Sequence, residues 1–132
     1  MVARHYTQLP SELHTACDLR APVAHVRGGG FLTREMVDAT LDQWRGSDDM
    51  PTRVLIDLRD VAGYEAGCAA LAHEFLRQSQ GQRVRRIAFV ATSSVLRTAA
   101  QLVSPQAHVH VRVFSDAAAA QHWLARAESV PG

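Results

Sequence analysis

Two aspartates, Asp57 and Asp60, sit at the end of an apolar run, and the chain also holds His73 and Ser94 as candidates for chemistry. Open α/β sheets place their functional crevice at the carboxyl ends of strands. A carboxylate pair there, with an imidazole and a hydroxyl, could move protons. The pattern lacks what acyl or proton transfer needs, namely a glycine-flanked serine or a general acid and base at a recognisable spacing. His108 and His110 project from one face of an alternating segment, a spacing able to hold a metal, with His122 as a candidate third ligand. An exposed polar strand face explains the same pair without an ion. Gly28, Gly29 and Gly30 precede a helical pattern, as phosphate loops do, but lack Walker or dinucleotide spacing. A turn needing positive φ accounts for them. Cys17 and Cys68 fit no metal spacing, and Cys68 reads as a small buried hydrophobe. No catalytic residue, cofactor or metal site is assigned, and the expectation is a protein that is not an enzyme.

The elements that would position these residues centre on Arg53 to Leu76, RVLIDLRDVAGYEAGCAALAHEFL. Val54, Leu55, Ile56 and Leu58 form a short apolar strand. It is expected to end near Asp57 and Asp60, with Gly63 in the turn that follows. Cys68, Leu71, Ala72, Phe75 and Leu76 then fall on one helical stripe. Ahead of this unit, residues 13–18 and 23–27 suggest a hairpin. Thr33 reads as the N-cap of a helix carrying Val37, Leu41 and Trp44, which Gly46 stops. After it, Arg83, Arg85 and Arg86 form a solvated loop before the apolar strand Ile87 to Ala91, expected in the sheet interior. Thr92, Ser93 and Ser94 offer caps for a helix that carries Val95, Leu96, Ala99, Leu102 and Val103, ended by Pro105. Residues 108–114 alternate strictly, with valines on one side and His108, His110 and Arg112 on the other. Ser115 would cap a last helix anchored by Trp123. Trp44, Trp123, Phe75 and Phe89 read as core. The order is β-β-α-β-α-β-α-β-α: an α/β fold with one mixed, mostly parallel five-stranded sheet and four helices.

Composition bounds the function. The chain has 132 residues and 47% apolar content, enough for one domain with a proper core. Fourteen basic residues, all arginine, stand against 13 acidic ones, so no global field attracts nucleic acid or anionic lipid. No stretch is apolar and long enough to span a bilayer, and the first residues lack a signal peptide's apolar run. A cytoplasmic location without a disulfide is expected.

Several short motifs carry a resemblance. Gly30-Phe31-Leu32-Thr33 leads into the first helix. Arg86-Ile87-Ala88-Phe89-Val90 forms an apolar strand. Val111-Arg112-Val113-Phe114 is followed by Ala119, Trp123 and Leu124. In this order they resemble the SpoIIAA-like, or STAS/SEC14, group, which shares the STAS fold of bacterial anti-sigma factor antagonists. The resemblance covers about residues 12–126. Antagonists of that kind carry an Asp-Ser-Ser/Thr-Gly turn before a helix that opens Leu-Gly-x-Leu. With Gly67 on the glycine of that turn, its aspartate position becomes Tyr64, and its serine pair becomes Glu65 and Ala66. The phosphorylatable hydroxyl is gone. Glu65 could place a permanent negative charge where relatives add one by phosphorylation, since a helix N-terminus favours anions; the simpler reading, and the favoured one, is a good first-turn residue.

The resemblance implies a non-enzymatic, cytoplasmic interaction module without a cofactor. Its partner would be an unidentified protein, and a homodimer is compatible with the reading. The expected binding surface is Asp60, Gly63, Tyr64, Glu65, Ala66, Gly67, Thr92 and Ser93, with Tyr64 as the anchor. One alternative is a carrier of a small apolar ligand or lipid, which needs a pocket of several hundred Å3. A second is an uncharacterised enzyme.

Overall fold

The computed structural model describes residues 11–17, 23–46, 51–78, 81–103 and 109–126. The elements run β1 (Glu12–Cys17), β2 (Val23–Leu32), α1 (Arg34–Arg45), β3 (Arg53–Tyr64), α2 (Cys68–Arg77), a single 3-10 turn (Gly81–Arg83), β4 (Arg86–Val90), α3 (Ser94–Val103), β5 (His110–Phe114) and α4 (Ala117–Ala125). The sheet has five strands in the order β1-β2-β3-β4-β5. Only the β1–β2 pair is antiparallel. This is the α/β architecture expected from the order of elements.

The two faces of the sheet are covered unequally. Val26, Val54, Ile87 and Phe89 point to one face and pack with Leu41 of α1, Phe75 and Leu76 of α2, and Leu96, Ala100 and Val103 of α3. On the other face Leu55, Ala88 and Val90 meet Ala120 and Leu124 of α4 alone. On the first face α2 packs between α1 and α3. No helix among the described residues is long and apolar enough to cross a membrane.

Local chemistry explains most boundaries. Thr33 caps α1, its Oγ1 accepting from the Met36 amide at 3.1 Å. Ser93 Oγ accepts from Leu96 N at the head of α3, at 3.4 Å. At α4 the cap is Asp116 rather than the expected Ser115: its Oδ2 accepts from Ala119 N at 2.9 Å, and a carboxylate suits the positive helix end. In α3, Val95 and Leu102 are 62% and 65% exposed, while Leu96, Ala100 and Val103 are buried. The apolar residues of that segment exceed the width of one stripe, and the sheet takes those that keep its register. Arg86, expected in a solvated loop, begins β4. Its guanidinium donates to the Trp123 carbonyl at 2.9 Å and the Arg126 carbonyl at 3.0 Å, and stacks on the Trp123 ring. It thereby satisfies carbonyls at the end of α4.

The largest departure concerns β2 and β3. Both were expected to stop early, β2 at Arg27 and β3 near Asp57 and Asp60. Instead they run on together: Gly29 pairs with Asp60, Gly30 with Val61, Phe31 with Gly63 and Leu32 with Tyr64. Since β4 leaves β3 at Asp57, the seven residues to Tyr64 form a two-stranded arm roughly 20 Å long at ~3.3 Å per residue. The glycines permit it. A Cβ at Gly28 would meet Val61 Cγ2 at 3.0 Å, and only Gly30, with φ +67°, takes the left-handed conformation. Gly30 sits at a shift in register rather than in a turn.

Candidate functional site

The arm ends where the heads of α1 and α2 meet, and Glu65 ties the three together. Its amide donates to Leu32 O at 2.8 Å. Its Oε1 accepts from Arg34 N, the first amide of α1, at 2.8 Å. Its carbonyl accepts from Cys68 N at 3.3 Å. Helix heads leave four amides without intrahelical partners. In α1, Thr33 takes one and Glu65 takes another from across the chain. The charge of Glu65 is therefore committed to α1, not to the helix it immediately precedes. Removing it leaves Arg34 N without its acceptor, so Glu65→Ala is expected to lower stability by ~1 kcal/mol, the usual cost of a lost cap. Glu65→Gln, which keeps an acceptor oxygen, should recover at least half. Urea unfolding of both variants measures this.

The head of α2 is built differently. Gly67 occupies the N-cap position at φ +99° and offers no side-chain acceptor. A Cβ there would lie 3.2 Å from Cδ and Nε of Arg34, so the arginine stem crosses directly over the glycine. Glu65, Ala66 and Gly67 are all exposed. Beside them stands Phe31, 48% exposed, its ring across Gly63, where the missing side chain leaves it room. Phe31 is the aromatic that reading the sequence missed. The sign was there: continued alternation past Arg27 puts Phe31 outward once the glycines are taken as strand.

Of the residues expected to form the surface, the structure gathers Gly63, Tyr64, Glu65, Ala66 and Gly67 at the arm's tip. Asp60 lies lower on β3, and its carboxylate meets Arg27 at 3.1 Å. Thr92 and Ser93, both exposed, stand at the head of α3, across α2 from α1. Tyr64, the expected anchor, is half-buried and packs against the core.

The residues first considered for catalysis do not converge. Asp57 accepts from Arg59 Nη2 at 2.8 Å, Nε at 3.0 Å and its backbone amide at 3.1 Å. It lies on the α4 face, opposite Val90. His73 is on α2, across the sheet, with Nδ1 3.2 Å from Val103 O. Ser94 is exposed at the start of α3. The hydrogen bonds from Arg59 hold the Asp57 carboxyl below the ordinary aspartate range, partly opposed by burial. A depressed native pKa adds stability that is complete above the unfolded value, near pH ~4, and is lost as pH falls through the native one. The deficit of Asp57→Asn relative to the native protein should therefore be largest at neutral pH and shrink as pH falls below ~4, as thermal melts at several pH values will show. His110 and His122 are exposed on β5 and α4, and His108 lies outside the described residues. Among the described residues no three ligating side chains gather as a metal site would require. Cys68 is buried, and burial pushes its thiol up.

Under these heads, between the sheet and α1 to α3, lies an apolar cavity of about 130 Å3, with Tyr64, Cys68 and Trp44 among its walls.

A mixed five-stranded sheet with three helices on one face, one on the other and a helix head at the tip of the central strand defines a STAS-type domain. The SpoIIAA-like family model matches residues 23–125, and the chain belongs to that family. Its fold is similar to that of an uncharacterised protein from Shewanella loihica with a SpoIIAA-like fold, at TM-score 0.62 and 16% identity, covering 89% of this chain and 98% of that one. It is also similar to the unphosphorylated anti-sigma factor antagonist SpoIIAA, at TM-score 0.62 and 11% identity, over 86% of this chain and 99% of that one. The phosphorylated Bacillus cell fate determinant SpoIIAA gives TM-score 0.60 and 12% identity, over 84% and 98%. At such identities the likeness is one of fold. No curated protein matches the chain by sequence.

Proposed function

We propose that this is a protein-interaction domain of the anti-sigma-factor-antagonist kind, working in the cytoplasm without catalysis or a cofactor. It binds another protein through the crown of Phe31, Arg34, Glu65, Ala66 and Gly67, flanked by Asp60, Gly63, Tyr64, Thr92 and Ser93. The observation that supports this most is the exposed Phe31 ring beside an α2 head without a side-chain cap. Aromatic side chains are enriched at interface cores, where a few anchors carry most of the binding energy. With Glu65 and Ala66 in place of a serine pair, the turn before α2 has no hydroxyl to phosphorylate, so binding is not switched at that position. Glu65 serves as a fixed cap on α1, not as a phosphate mimic on α2.

The test uses the native domain as bait in an extract of the source organism, followed by purification of the recovered protein. Its affinity for the native domain is compared with that for Phe31→Glu. Weakening of at least tenfold supports the reading; equal affinities place the interface elsewhere.

A further inference from the structure

We propose that the space between the sheet and helices α1 to α3 is a binding site for a small uncharged apolar molecule, about the size of one aromatic ring. This does not rest on the protein-binding crown, although Tyr64 borders both. The cavity of about 130 Å3 is close to the ~150 Å3 of apolar space known to stay dry and accept benzene. Its origin is legible in residue size. Ala69 and Ala72 of α2 and Ala99 of α3 line it alongside Val26, Leu41 and Trp44. Longer side chains at the three alanines would fill it.

The lining chooses the ligand's chemistry. Among the described residues no charged side chain borders the space, and its polar atoms come from Thr40, Trp44, Tyr64 and Cys68. The Cys68 thiol points to Leu32 O, at 3.8 Å. A carboxylate or phosphate inside would be desolvated without a partner, which is strongly unfavourable. Volume excludes the long chain of a membrane lipid, which needs several times this space. Trp44 and Phe75, edge to face at 5.8 Å, present ring edges and faces of the kind that aromatic guests pack against. The occupant class is therefore a monocyclic aromatic or a compact hydrocarbon, not a lipid.

The experiment follows thermal unfolding of the full chain with toluene, with indole and with palmitate. A ligand that binds only the native state raises the melting temperature by mass action. Toluene or indole near saturation should raise it by several degrees, and palmitate should not. Ala72→Leu and Ala99→Leu each place a side chain in the gap, and in whichever variant keeps the native circular dichroism the toluene shift should disappear. No toluene or indole shift in the native protein would overturn the proposal. So would a shift undiminished in the filled variants, or a larger one with palmitate.

Discussion

Gly81→Ala is expected to cost ~3 kcal/mol or more, a large share of the stability of a domain this size. Gly81 is buried in the 3-10 turn after α2. A Cβ there would overlap the Phe75 carbonyl oxygen and lie 2.6 Å from Leu76 Cα. Both are backbone atoms of the helix that carries the core, so no rotamer change relieves the overlap. The turn or the end of α2 must move, and Phe75 and Leu76, each 2% exposed, move with it. Gly46→Ala is the matched control. Its Cβ would find its nearest neighbours at 3.8 Å, so a change within ~0.5 kcal/mol is expected. Urea unfolding of the two variants decides the matter. A loss under ~1 kcal/mol for Gly81→Ala would mean that the α2 end does not pack as described.

The second large effect is on binding. Phe31→Glu should weaken capture of the protein partner by roughly 30-fold or more, the ~2 kcal/mol expected of an interface hot spot. The fold should survive, because Phe31 lies across Gly63 at the surface and makes its strand contacts through its backbone, the amide donating to Ser11 Oγ at 3.1 Å. Tyr64→Ala is the less informative variant. Tyr64 packs against the core, so its truncation confounds stability with binding. Reversal of charge at Glu65 has the same fault, since it strips the head of α1.

How much could be read from sequence follows from how local each feature is. Thr33 capping α1, the apolar strand at Ile87–Val90, the inward Val109, Val111 and Val113, and the stripe of α2 each rest on a few neighbouring residues, and each stands in the structure. The arm was not legible. A run of three glycines and the stretch DLRDVAGY both read as turns, yet each becomes strand because the other is there to pair with it. The role of Glu65 was hidden for the same reason. Its acceptor serves an amide 31 residues earlier, and no local pattern marks a carboxylate shared between helix heads. Phe31 was passed over because its strand was ended five residues too soon. The absence of a serine pair before α2, by contrast, needed only alignment to Gly67.

The claim that the crown binds a protein is tested most directly by mapping the complex. Amide spectra of the labelled domain, with and without the recovered partner, should change most at Phe31, Arg34 and residues 65–68, and at the head of α3 to a lesser extent. Changes confined to β1, α4 and the charged face around Arg27 and Arg59, with the crown unaltered, would contradict it.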